Sequence, residues 1–159
     1  MSHISTDACW PFYHTIFPEL PEGEGLDAFF AEADEVLTRN QQFVWLMEAM
    51  HLDYPNAADR QRYVDFIRSR SGLIRKHLVG LAIVMPSMLS RLMCRSIFLL
   101  GPPACPYTVG KNADAATSWC IARLKEEGLE VPKNLTKSDP NIVGLPGDKV
   151  RAIRAAASE

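Results

Sequence analysis

LVGLAIVMPSMLSRLMCRSIFLL, residues 78–100, carries only two charges in 23 residues, Arg91 and Arg95. A run of this length suits either a membrane-spanning helix, which needs about 20 mostly apolar residues, or a buried strand followed by a helix. Pro86 decides between them. A proline cannot donate to a strand ladder, so LVGLAIVM (78–85) reads as a covered strand that ends there. Ser87 stands where a helix N-cap belongs, and residues 88–100 read as the helix it opens. Leu89, Leu92, Met93 and Leu99 are expected inward, and Arg91 and Arg95, one turn apart, outward. Each arginine at the centre of a membrane span would cost about 2.5–3.5 kcal/mol, so no transmembrane segment is expected.

Working outward, short apolar runs alternate with amphipathic stretches, as in α/β construction. Phe12 to Phe17, bounded by Pro11 and Pro18, reads as a short first strand. Leu26, Phe29, Phe30, Ala33 and Leu37 then recur at helical spacing. FVWLMEAM (43–50) suits a strand covered on both faces of a parallel sheet. Asn56 caps one helix through AADRQRYVDFIRSR, with Tyr63, Ile67 and Ile74 on a stripe and Gly72 weakening its end. The prolines of GPPACP (101–106) force an extended connection to a last short strand, Tyr107 to Val109. Asn112 caps a final helix that places Ala116, Trp119 and Arg123 along one side, and Gly128 supplies a left-handed stop. The expected architecture is α/β, a single small mixed or parallel sheet of about four strands flanked by helices. Residues 1–128 form the domain, and 129–159 are a C-terminal extension with a short basic helix around Val150 and Ile153.

The chain has 159 residues, enough for one domain in which roughly 70% of the unfolded surface can be buried. A net charge of −2 gives no general attraction to nucleic acid. Charge is nonetheless segregated. Seven acids and no base lie between Glu19 and Glu35, whereas Arg60, Arg62, Arg68, Arg70, Arg75 and Lys76 face a single acid, Asp65. Each run reads first as a solvated helix face, and complementary faces in self-assembly are the sharper alternative. The basic run has only Tyr63 and Phe66 interleaved, both expected in the core, so no nucleic-acid partner is expected. Cys9, Cys94, Cys105 and Cys120 form no CxxC pair and no zinc spacing, and read as reduced thiols. No signal peptide is recognisable, so a cytoplasmic location is expected, and Asn134-Leu135-Thr136 reads as a chance glycosylation match.

No GxSxG elbow, phosphate-cradling glycine loop or HExxH helix occurs in the sequence. Glu48, His51 and Asp53 gather at a strand end, where α/β proteins place ligand sites, but read as a polar rim rather than an acid/base site. Cys105 stands between prolines with nothing basic beside it to activate the thiol, and reads as packing. No catalytic residue, metal ligand or cofactor is assigned, and the protein is expected not to be an enzyme. The helix 88–100 is apolar on more than one side. Met88, Ile97 and Phe98 are surplus to its expected inward stripe, and with Arg91 and Arg95 they are the candidate interaction residues, for another protein or a second copy. Coverage of this face by Trp10 or the C-terminal tail is the bland alternative.

FVWLMEAM with PNAADRQRYVDFIR, then LVGLAIVMPSMLSRLMCRSIFLLGPPACPY, then NADAATSWC, resembles short bacterial proteins of the STAS-like (STAS/SEC14-like, anti-sigma-factor-antagonist-like) superfamily. The likeness spans about residues 12–125, and its marks are VxPSxLxR, the aliphatic helix ending in PPxCP and the A-x-x-x-W helix. The resemblance implies a non-enzymatic interaction module in signalling or regulation. Its phosphorylated members carry serine or threonine where this chain has Asn56, and related strands end in Asp-Leu-Ser where this one reads Glu48-Ala49-Met50. Both departures argue against a phosphorylation switch. A small binding domain for an apolar or lipid-like ligand is the alternative.

Overall fold

The computed structural model describes residues 3–50, 55–133 and 135. Five strands and five helices follow one another as β1 (Ile4–Cys9), β2 (Phe12–Phe17), α1 (Glu24–Leu37), β3 (Phe43–Ala49), α2 (Ala57–Ser69), α3 (Ser71–His77), β4 (Leu78–Val84), α4 (Met88–Leu100), β5 (Tyr107–Gly110) and α5 (Ala113–Glu126). The sheet order is β1-β2-β3-β4-β5. β1 is antiparallel to β2, and β2 through β5 are parallel. The architecture is therefore the expected α/β with one mixed sheet, but with five strands. The additional one, β1, lies at the edge; ISTDAC has no apolar run to betray it.

Alternation along β2, β3 and β4 sends residues to two faces. Tyr13, Phe17, Phe43, Trp45, Ala49, Leu81 and Ile83 meet the side chains of α1 to α4 in the larger core. Phe12, Val44, Leu46, Ala82 and Val84 meet Ala116, Cys120 and Leu124 of α5 in the smaller one. Neighbouring parallel strands joined by successive crossovers put the crossover helices on one face, and among the described helices α5 alone covers the other. Gly80 allows α5 to come close: a Cβ there would lie 3.0 Å from Arg123 Cγ and 3.1 Å from Trp119 Cζ3. Arg123 Nε donates to the Val79 carbonyl at 2.9 Å. These contacts place Trp119 and Arg123 on the sheet side of α5, as their shared stripe implies.

The caps agree with the sequence. Asn56 Oδ1 accepts from the Asp59 amide at 2.8 Å, Asn112 Oδ1 from Ala115 at 3.0 Å and Ser87 Oγ from Ser90 at 3.4 Å. Gly128 adopts φ 69°, and Leu129 N donates back to the Leu124 carbonyl at 2.8 Å, closing α5. Past this stop, Leu135 is buried in the smaller core, with Leu129 and Val131 packed beside it. The expected helix around Val150 and Ile153 and the Asn134 glycosylation match lie outside the described residues. The single helix expected after Asn56 is two: the backbone leaves the α region at Arg70, and Ile74 reaches the core from α3.

Candidate functional site: an apolar cavity under four helices

The opposite charges of α1 and α2 pair with each other. Arg62 binds Asp27, and Arg70 forms a two-pronged contact with Asp34, its Nη2 donating to Oδ2 at 2.8 Å. The guanidinium holds the Asp34 carboxyl below its ordinary range. Between the two ion pairs, Phe30 and Phe66 stack with centroids 4.3 Å apart and planes 3° from parallel, and Tyr63 meets Phe30 edge-on. The charge segregation thus has a partner inside the chain, and side chains bridge the two helices.

Beneath this bridge lies an apolar cavity of about 160 Å³ that is partly open to solvent. α1 supplies Phe29, Phe30 and Ala33, α2 supplies Tyr63, Phe66 and Ile67, α3 supplies Ile74, α4 supplies Met93, Cys94, Ile97 and Phe98, and the sheet floor supplies Trp45, Met47, Ala49 and Ile83, with Met85 just past β4. The wall is almost entirely carbon and sulfur. Its two polar-tipped aromatics spend their donors elsewhere: Trp45 Nε1 donates to Thr15 Oγ1 at 2.9 Å and the Tyr63 hydroxyl to the Pro21 carbonyl at 3.3 Å. Burial pushes the Cys94 thiol up to about 12, so it stays neutral.

α4 sits one phase away from the expected stripe. Ser90, Met93, Cys94, Ile97 and Phe98 face inward, with Ile97 only 9% and Phe98 7% exposed. Leu89, Leu92 and Leu99 face out beside Met88, Leu99 being 84% exposed. The reason is compositional: a helix apolar on more than one side has two inward stripes to choose from, and periodicity does not choose between them. Of the five interaction candidates, Ile97 and Phe98 are cavity wall and core, and only Met88, Arg91 and Arg95 lie toward the surface. Arg91 donates to the carbonyls of Met85 and Pro86, and Arg95 to that of Val109. Trp10 does not cover α4; it stacks on Phe43 at 5.1 Å, and the Arg39 guanidinium lies 4.8 Å from the centre of its ring.

Glu48 is not part of an exposed rim. It is 2% exposed on the α5 side of the sheet, and its Oε1 lies 3.2 Å from Nε2 of the 1%-exposed His14 on the neighbouring strand. His14 and Glu48 are diagonal neighbours in the parallel register that pairs His14 with Leu46 and Ile16 with Glu48. His51 and Asp53 lie outside the described residues. Cys105 packs against the larger core, and burial pushes its thiol up to about 12, the opposite of activation. Among the described residues no group of three or more acids, histidines and cysteines has the arrangement of a metal site, and no helix is long and apolar enough to cross a membrane. Neither family models nor curated proteins nor solved structures match the chain.

The sequence offered an apolar-ligand domain as an alternative, from the Met, Phe and Leu around α4, but not the place of the cavity, whose walls are ordinary core positions.

Proposed function

We propose that the protein is a cytoplasmic, non-catalytic binding module that holds an apolar ligand between the sheet and helices α1, α2 and α4. The observation that carries this reading is the apolar, partly open cavity of about 160 Å³, close in volume to the apolar cavity of about 150 Å³ that accepts benzene or xenon. Well-packed interiors leave few voids larger than a water molecule, so a space of this size without polar lining is suited to a guest. The test is native mass spectrometry of the protein before and after exposure to a mixture of neutral hydrocarbons, fatty acids and sterols. A stoichiometric added mass that is lost on unfolding is expected; a chain that keeps its bare mass throughout contradicts the reading.

The outer face of α4 supports a second reading, the protein-interaction module in signalling that the STAS-like resemblance implies. Met88, Leu92 and Leu99 are 69%, 53% and 84% exposed along one stripe, flanked by Arg95. Arg91 and Arg95 are the only charges on α4, so two copies of the helix would bring like charges together. The matching partner is another protein with an apolar patch and an acidic rim. Sedimentation velocity is then expected to show a monomer at all concentrations, and a dimer abolished by Leu92→Asp would make the occupant a second copy instead.

A further inference from the structure

Resting on the ligand-binding reading above, we infer that the guest is a neutral aromatic molecule of about one ring, held with no hydrogen bond from the cavity wall. Three observations converge on this. The wall offers almost no polar surface, because the Trp45 and Tyr63 donors are engaged by Thr15 and Pro21 and the Cys94 thiol is neutral. A carboxylate or phosphate held against that wall would lose part of its hydration and find no polar partner in exchange. The volume, about 160 Å³, matches a single ring, and although the pocket is partly open to solvent its lining gives a headgroup no polar partner. Finally, the wall combines aromatic edges and faces from Phe29, Phe30, Trp45 and Phe98 with the thioethers of Met47 and Met93. Edge-to-face ring contacts and sulfur–ring contacts each favour a flat π-system over a saturated one of equal size.

The test compares three probes of nearly equal shape: toluene, benzoate and methylcyclohexane. Binding to the full chain is followed by sealed-cell calorimetry and by the NMR shift of the Trp45 indole N–H. Toluene is expected to bind with one-to-one stoichiometry, methylcyclohexane about threefold more weakly for want of the ring contacts, and benzoate at least about 30-fold more weakly for want of a counter-charge. Ala33→Leu and Ala49→Leu, on opposite walls, should each lower toluene affinity about tenfold while the far-ultraviolet circular dichroism stays that of the parent. Benzoate binding as tightly as toluene, or methylcyclohexane binding tighter, would overturn the inference and leave the binding module standing. Toluene affinity unchanged in both folded filled variants would place the site elsewhere and overturn it too. Bare protein with all three probes and with the hydrocarbon, fatty-acid and sterol mixture would instead remove the ligand-binding reading itself.

Discussion

Arg70 grips Asp34 with two nitrogens across the gap between α2 and α1, and the same guanidinium lies 5.2 Å over the Phe66 ring. The clamp fixes the aromatic bridge that roofs the cavity. Because both side chains are about one third exposed, the ion pair is expected to contribute only about 0.2–1 kcal/mol. A double-mutant cycle with Asp34→Asn and Arg70→Met should give a coupling energy in that range, shrinking in 1 M salt. Strict additivity at low salt would deny the clamp.

The same pair sets a pH response. Asp34 titrates below its ordinary range when folded, so the folded state binds its proton less readily than the unfolded chain. Its stabilisation is present above the unfolded value, near 3.8, and is lost as pH falls through the lower folded value. The stability difference between the parent and Asp34→Asn should therefore be full at pH 6 and narrow below about pH 4. Denaturant midpoints of the two proteins across pH 3–7 check this; a constant gap would refute it.

Asn56 is a helix cap, its Oδ1 accepting from the Asp59 amide. Asn56→Ala should cost about 0.5–2 kcal/mol, whereas Asn56→Ser should cost little, because serine caps nearly as well. Equilibrium unfolding in urea measures both. A serine variant as unstable as the alanine one would show that the amide does something other than cap.

Two glycines should respond oppositely to alanine. At Gly80 a methyl group would press on Trp119 and Arg123 at 3.0–3.2 Å, and overpacking of this kind typically costs about 1–3 kcal/mol. At Gly72, inside α3 with open space around it, alanine should stabilise by about 0.4–1 kcal/mol. Melting temperatures moving the same way in both variants would contradict the packing of α5 on β4.

Much of this fold was legible where chemistry is local. Pro86, Asn56, Ser87, Asn112 and Gly128 mark boundaries because a ring without an N–H, a capping oxygen or a left-handed backbone acts at its own position. What was hidden depends on tertiary partners. β1 is polar at an edge and acquires its identity only by pairing with β2. The inward stripe of α4 is selected by what the sheet presents, and the acidic and basic runs found each other although more than 30 residues separate Asp27 from Arg62. Glu48 looked like a strand-end acid and is instead buried beside His14, a neighbour set by strand register. The cavity belongs to no single segment.

Crystallography under xenon pressure tests the central claim most directly, because xenon enters apolar cavities of this size without requiring a cognate ligand. Xenon density is predicted between Trp45, Met93 and Phe98, with the sheet and α1, α2 and α4 unmoved. A xenon-free interior there, with the side chains of Phe30, Phe66 and Met93 collapsed together, would contradict it.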